Sequence, residues 1–176
     1  SYTLTIGAAG DIIQASATGY TGTYDGQAHP GITLTYTPDN ATVRYGVDNS
    51  GMAYPWEEIP EFTDAGKHTV YYRITAPGCT EYLGDIEVNI APKEIKAEMF
   101  ADSISASYTY TGNTPIKPPV TVMYNGMVLN AGNNPETEEV GDDYTVSYGP
   151  NNTIGDSTGS VTVTAVDGGN YTDSAK

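Results

Sequence analysis

Apolar and polar residues alternate along much of this chain with a period of two, rather than the roughly 3.6 residues of a helix. The alternation is clearest over residues 68–75, which contain Val70, Tyr72 and Ile74, and it returns at residues 144–148. This period is typical of a β-strand with one buried face, so we expect Val70, Tyr72 and Ile74 to point inward. The pattern predicts an all-β protein.

The alternating segments belong to a longer internal repeat. The triplet Tyr-Thr-Gly at residues 20–22 precedes an alternating segment at residues 32–36. The same triplet returns at residues 110–112, before an alternating segment at residues 120–124. Because the two triplets lie about 90 residues apart, the repeated unit has the size of a small β-sandwich domain.

The domain boundaries follow from this repeat. Repeat 1 is predicted to cover residues 7–91 and repeat 2 residues 92–176. Residues 1–6 alternate as residues 85–90 do, whereas repeat 2 ends before an equivalent strand. We therefore predict that residues 1–6 are the closing strand of a preceding repeat and that repeat 2 lacks its last strand. Neighbouring repeats are then expected partners, through β-strand addition.

The join between the repeats is short. Residues 90–95 contain one proline, Pro92, and no glycine, with strand-like residues on both sides. Such a link is expected to be stiff. Stiffness suits a segment that projects something from a surface.

Charge narrows the classes of partner. The chain has 22 acidic and 7 basic residues, which give a formal net charge of −15. This charge would repel phosphate backbones and anionic bilayers, so we expect no nucleic-acid partner and no membrane insertion. No apolar run reaches the roughly 18 residues that a membrane helix needs. Cys79 is the only cysteine, so an intrachain disulfide is excluded.

A sequence motif carries a family resemblance. Residues 64–70 read D-A-G-K-H-T-V and resemble the immunoglobulin corner pattern D-x-G-x-Y-x-C, with His68 in the Tyr position and Val70 in the Cys position. With residues 24–29 and 143–148, this motif makes the chain similar to the Ig-like or MBG-type repeats of Gram-positive cell-surface proteins. The resemblance implies two tandem immunoglobulin-like β-sandwich domains of a secreted, acidic protein at the bacterial cell surface.

The same resemblance implies a role. Repeats of this kind serve as stalks, adhesin segments and spacers, so the implied function is projection or cell adhesion. The implied partner is a host or plant glycan, a mucin or a surface protein. An alternative fold is a β-grasp-like repeat, which needs a helix packed on its sheet. Only residues 53–59 or 95–104 could supply that helix, and neither has helical periodicity.

Catalytic motifs are absent from the sequence, and we expect that the protein is not an enzyme and has no catalytic residues. The two histidines lie outside any G-x-S-x-G or H-E-x-x-H motif. We expect His68 to cap a strand at a corner of the β-sandwich and His29 to lie in a turn beside Pro30. Both positions favour a structural role.

A sugar-binding platform is the main site hypothesis. Tyr54 and Trp56, the only tryptophan, lie in a segment rich in turn-forming residues, and Glu57 and Glu58 follow. Aromatic faces can stack on pyranose rings, and carboxylates can accept hydroxyl protons. The function would then be that of a carbohydrate-binding module of an extracellular glycan-degrading protein. An exposed Trp56 would favour this alternative, and a buried Trp56 the stalk.

Calcium is the one cofactor that the sequence leaves open, and otherwise we expect none. Oxygen-rich segments at residues 48–51, 142–143 and 167–170 could ligate Ca²⁺. Because Asp, Asn and Gly are also ordinary turn residues, we interpret these segments as turns and predict no metal ligands.

Overall fold

A computed structural model of the chain describes residues 11–47, 54–109, 112, 114–132, 143–151 and 159–176. These residues form short and medium-length strands, and their only helical segments are two 3-10 helices, Ala97–Met99 and Ala101–Ser103. The all-β prediction is confirmed. The helix that a β-grasp fold would need is not found in the described parts of residues 53–59 or 95–104, because the 3-10 helices span three residues each.

The chain divides into two compact units. Among the described residues, the first unit comprises residues 11–22, 28–47, 54–63 and 67–90, and the second comprises residues 23–27, 64–66, 91–109, 112, 114–132, 143–151 and 159–176. The predicted repeats at residues 7–91 and 92–176 stay a prediction, and residues 1–6 lie outside the described residues.

The strands that lie mainly in the first unit range from two to ten residues. They are β1 (Asp11–Ile12), β2 (Gln14–Gly19), β3 (Thr21–Thr23), β4 (His29–Pro30), β5 (Ile32–Thr37), β6 (Thr42–Val47), β7 (Glu61–Phe62), β8 (Gly66–Thr75), β9 (Cys79–Thr80) and β10 (Tyr82–Ala91). The main sheet has the order β3-β10-β8-β6. The strands β2 and β5 form a separate antiparallel pair, β4 pairs with β7, and β1 runs parallel to β9.

The core of the first unit lies on one face of this sheet. Val70, Tyr72 and Ile74 on β8 are 0%, 4% and 0% exposed, which confirms the predicted inward face. On β10, Val88 and Ile90 are buried in the same alternating way. The period of two is therefore realised on both long strands, because successive side chains of extended backbone point to opposite faces.

The strands of the second unit are shorter. They are β11 (Lys93–Glu94), β12 (Met123–Tyr124), β13 (Met127–Val128), β14 (Tyr144–Tyr148), β15 (Val161–Ala165), β16 (Tyr171–Thr172) and β17 (Ser174–Ala175). The sheet β14-β15-β17 is antiparallel, and β14 and β15 pair along their whole length. The strand β11 runs parallel to β16, and β12 forms a hairpin with β13.

The second unit contains one strand that is shorter than predicted. The alternation at residues 120–124 predicts a strand of five residues, but only Met123–Tyr124 has a strand partner. The Thr121 N–H donates to Oγ of Ser103 at 3.1 Å. A side chain therefore takes a backbone donor that a ladder would use. Val122 is nevertheless fully buried.

The core of the second unit joins β14, β15 and the loops around them. Its buried residues are Ile95, Phe100, Val122, Leu129, Tyr144, Val163, Val166 and Tyr171, together with Tyr24 from residues 23–27. Asn151 holds two of the loops together. Its Nδ2 donates to the carbonyls of Ile116 (2.9 Å) and Ser160 (3.1 Å), and its Oδ1 accepts from the Ser160 N–H at 2.6 Å.

Buried tyrosines predict loss of stability at alkaline pH. Burial, as the largest cause, raises the pKa above the ordinary 10.0 for Tyr45 and Tyr72 in the first unit and for Tyr144 and Tyr171 in the second. The folded protein therefore holds these protons more tightly than the unfolded chain. Their stabilising effect is complete below pH 10 and is lost as the pH rises through the folded-state values.

This expectation is measured by urea unfolding at a series of pH values, with phenolate absorbance at 295 nm as a second probe. We expect the unfolding midpoint to fall above about pH 10, and part of the tyrosine absorbance to appear only together with unfolding. A midpoint that stays constant while all tyrosines titrate near pH 10 would contradict it.

Candidate functional site

The predicted sugar platform lies at one edge of the main sheet of the first unit. The backbone N–H of Tyr45 on β6 donates to the Trp56 carbonyl at 2.8 Å, and the Trp56 N–H donates back at 3.2 Å. Residues directly opposite in an antiparallel pair place their side chains on the same face. Trp56 therefore leaves the sheet on the side of the buried Tyr45 ring.

Trp56 is nevertheless exposed. Its exposed fraction is 43%, whereas that of Tyr45 is 6%. The difference follows from position, because Trp56 lies beyond β6 at the outside of the sheet and has a strand partner on one side. Ile59, three residues later, is also exposed. We call residues 56–59 the Trp56 edge.

Tyr54, the second aromatic residue of the predicted sugar platform, contacts a different part of the sheet. The guanidinium carbon of Arg73 lies 6.0 Å from the centroid of the Tyr54 ring. Arg73 is exposed and lies between the buried Tyr72 and Ile74, so it occupies the outer face of the sheet. Tyr54 and Trp56 thus lie at the same edge, Tyr54 beside the outer-face residue Arg73 and Trp56 opposite the inner-face residue Tyr45.

The two glutamates also differ in their contacts. Glu57 forms an ion pair with Arg44, which is the strand partner of Arg73. Both members of this pair are exposed, so its contribution to stability is small. One oxygen of Glu57 is therefore engaged by Arg44, and Glu58 is exposed at the same edge.

Both histidines stack on aromatic rings. The ring of His68 lies 4.5 Å from that of Phe62, and the ring of His29 lies 4.3 Å from that of Tyr20. His29 belongs to β4 and pairs with Phe62, so its predicted position in a turn is wrong. Residues 29–30 form a strand because they pair with residues 61–62. The local sequence around His29 contains no sign of this distant pairing.

The candidate calcium segments are described only in part. Residues 48–51 and Asp142 lie outside the described residues. Asp143 accepts a hydrogen bond from the Asn130 N–H at 2.8 Å. Asn170 accepts from the Ala65 N–H at 2.7 Å and donates to Asp64 at 3.0 Å. Within the described ranges, no three His, Cys, Asp or Glu side chains are grouped so that they could hold a metal ion.

The second unit has a surface feature that the sequence did not predict. It is an open cleft of about 400 Å³, which we call the second-unit cleft. Its lining consists of Tyr24, Met127, Val128, Leu129, Asn130, Asp143, Gly169, Asn170 and Tyr171. These residues come from four separate stretches of the chain, so local spacing gives no sign of the cleft.

Comparisons with known proteins give no match: no family model, no curated protein and no solved structure matches the chain. In the part of the chain that the structure describes, no helix has the length and apolar character needed to cross a bilayer.

Proposed function

We propose that this chain is a non-catalytic segment of an extracellular bacterial surface protein that contributes to adhesion by binding a glycan at the Trp56 edge. The observation that carries the proposal is the 43% exposure of Trp56 at the outside of the sheet, which favours carbohydrate binding over a stalk without a ligand. Large aromatic side chains are costly to leave in water, and in binding sites they supply much of the contact energy.

The proposed architecture is a tandem pair of immunoglobulin-like repeats. In the first unit, β1 runs parallel to β9, and in the second unit β11 runs parallel to β16. A buried isoleucine follows soon after each leading strand, Ile13 after β1 and Ile95 after β11. The likeness of the two ladders supports a repeat, and the resemblance to Gram-positive surface repeats supports an extracellular location.

The site favours a neutral glycan. Tyr54 lies beside the outer face of the sheet, so the pyranose ring would stack on Trp56 alone, with Ile59 adding apolar contact. Glu58 supplies a carboxylate that can accept hydroxyl protons, whereas Glu57 already pairs with Arg44. With a net charge of −15, the protein would repel sulfated or sialylated chains. We therefore expect neutral polysaccharides and neutral mucin glycans to bind best.

The test is isothermal titration of the purified protein with neutral and anionic polysaccharides and with mucins. We expect saturable binding of a neutral glycan, and Trp56→Ala should weaken it at least about tenfold because the stacking surface is lost. Leu83→Ala is the matched control, since it removes exposed apolar surface from β10 of the same unit, outside the Trp56 edge. It should change the affinity by no more than about threefold.

Each outcome has a defined meaning, provided that urea unfolding shows both variants to be folded. If Trp56→Ala binds as tightly as the natural sequence, the glycan is held elsewhere and the Trp56 edge is not the site. If no glycan binds either protein, glycan-mediated adhesion through this segment is wrong.

A projecting role without ligand binding is the second candidate. One observation favours it: β10 ends at Ala91 and β11 begins at Lys93, so only Pro92 separates two paired strands. The fixed backbone angle of proline restricts such a link. Absence of glycan binding in the titration would leave this role as the better proposal.

A further inference from the structure

The lining of the second-unit cleft contains both apolar and polar residues. Its apolar residues include Met127, Val128 and Leu129, which we call the apolar wall, and Val128 is 62% exposed. Its polar residues include Asn130 and Asp143. The volume of about 400 Å³ lies within the roughly 300–1,000 Å³ of small-ligand clefts. The cleft therefore suits a ligand that is apolar along its length and polar at its end.

The carboxylate of Asp143 is held in place. Its Oδ2 accepts the Asn130 N–H at 2.8 Å, and the Asp143 N–H donates to the Asn130 carbonyl at 2.9 Å. An ionised carboxylate has about four acceptor positions, so one hydrogen bond leaves capacity for a ligand. Because the backbone fixes the orientation of its carboxylate, Asp143 would lose little side-chain conformational entropy on accepting a hydrogen bond from a ligand.

The apolar wall is also held in place. A Cβ on Gly26 would lie 2.3 Å from Cε of Met127, so the methionine packs directly over the Gly26 backbone. Asn125 of the same hairpin donates to the Asp25 carbonyl at 3.2 Å. Both contacts lie within the second unit. Contacts with residues 25–26 therefore fix the position of the hairpin that carries Met127 and Val128.

The tyrosines of the cleft do not offer a stacking platform. Tyr24 and Tyr171 are 9% and 4% exposed, and their rings meet edge to face at 5.4 Å. A sugar would find no open aromatic face here. Burial, followed by the nearby Tyr24 and Asp143, raises the pKa of Tyr171, so its hydroxyl stays neutral. The charge of the cleft is then set by its carboxylate.

We propose that the second-unit cleft binds an aliphatic primary ammonium group, such as a lysine side chain, with Asp143 receiving the ammonium and Met127 and Val128 contacting the methylene stem. Lysine side chains bury their stems along apolar surface while the charged end stays polar. Asn130 offers a further amide acceptor beside Asp143. The net charge of −15 attracts such a ligand at a distance.

The same tyrosine cluster already accepts one ammonium group. Nζ of Lys93 lies 5.1 Å from the centroid of the Tyr124 ring, and that ring packs edge to face against Tyr171 at 6.3 Å. Lys93 does not line the cleft. Aromatic rings attract cations through their negative faces, so Lys93 occupies this ring, and the attraction inside the cleft comes from Asp143. This inference is independent of glycan binding in the first unit.

The test is a titration of the isotope-labelled protein, followed by backbone amide NMR, with Nα-acetyl-lysine-N-methylamide as the probe. We expect saturable shift changes centred on the amides of Asn130, Asp143 and Asn170. The norleucine analogue has the same stem without the charge and should bind about tenfold more weakly. Asp143→Asn keeps an oxygen for the Asn130 N–H but removes the charge, so it should also weaken binding about tenfold.

Two further variants separate the cleft from general charge effects. Asp39→Asn removes the same charge from an exposed position in the first unit and should leave the affinity unchanged within about twofold. Val128→Ser shortens the apolar wall and should weaken the lysine probe while the protein stays folded. The proposal is overturned if norleucine binds as well as lysine, if Asp143→Asn has no effect, or if Asp39→Asn weakens binding equally.

The source of the ammonium is decided by a second probe. Cadaverine carries the same group as a free diamine without a peptide backbone. Tighter binding of the blocked lysine would identify a lysine of a partner protein as the natural ligand. Tighter binding of cadaverine would identify a free polyamine, with the ammonium site itself supported in either case.

Discussion

Replacing Ile74 by alanine is expected to lower the free energy of unfolding of the first unit by about 2–5 kcal/mol. Ile74 is 0% exposed on β8, which has β6 on one side and β10 on the other. The substitution removes buried methyl and methylene groups, and neighbours held in two ladders can close only part of the cavity. A loss of this size is a large fraction of the stability of a small domain.

The measurement is urea unfolding followed by the fluorescence of Trp56. Because Trp56 is the only tryptophan and is paired to β6, its emission reports on the first unit. Leu83→Ala is the matched control, since Leu83 lies on β10 and is 51% exposed. It should change the free energy by no more than about 0.5 kcal/mol. Equal effects of the two substitutions would contradict the assigned inner face.

Replacing Gly19 by alanine is expected to destabilise the first unit by about 1–3 kcal/mol or more. A Cβ at this position would lie 1.9 Å from the backbone oxygen of Glu87 on β10. Backbone within a paired strand cannot move aside as the end of a flexible side chain can. The end of β2 would therefore have to separate from β10. The nearby bond from the Asn89 N–H to the Tyr20 carbonyl, 2.9 Å long, would be strained with it.

Thermal unfolding and urea unfolding of Gly19→Ala measure this effect. Gly169→Ala is the control, because the nearest atom to its added Cβ is the Val166 oxygen at 3.5 Å, an ordinary contact. An alanine there should leave stability unchanged or raise it slightly by restricting the unfolded chain. If Gly19→Ala proved as stable as the control, the close approach of β2 to β10 would be wrong.

The two proposed sites lie in different units and differ in the chemistry that they offer a ligand. The Trp56 edge in the first unit offers an exposed aromatic ring, whereas the second-unit cleft offers a carboxylate beside an apolar wall. Trp56→Ala should therefore leave the lysine probe unaffected, and Asp143→Asn should leave glycan binding unaffected. The two binding experiments thus fail or succeed independently.

The alternation of residues was enough to assign the all-β class and the inward face of β8. Val70, Tyr72 and Ile74 were predicted to be buried, and they are, because a period of two is a local property of extended backbone.

Only the tertiary structure decided the form of both candidate sites. Trp56 is exposed because it pairs with Tyr45 outside β6, whereas Tyr54 lies beside Arg73 of the outer face. The second-unit cleft brings Tyr24, Asp143 and other distant residues together. Side-chain direction follows from neighbouring residues, so a sequence pattern records it. Exposure at a sheet edge and the lining of a cleft depend on contacts between distant segments, which no local pattern contains.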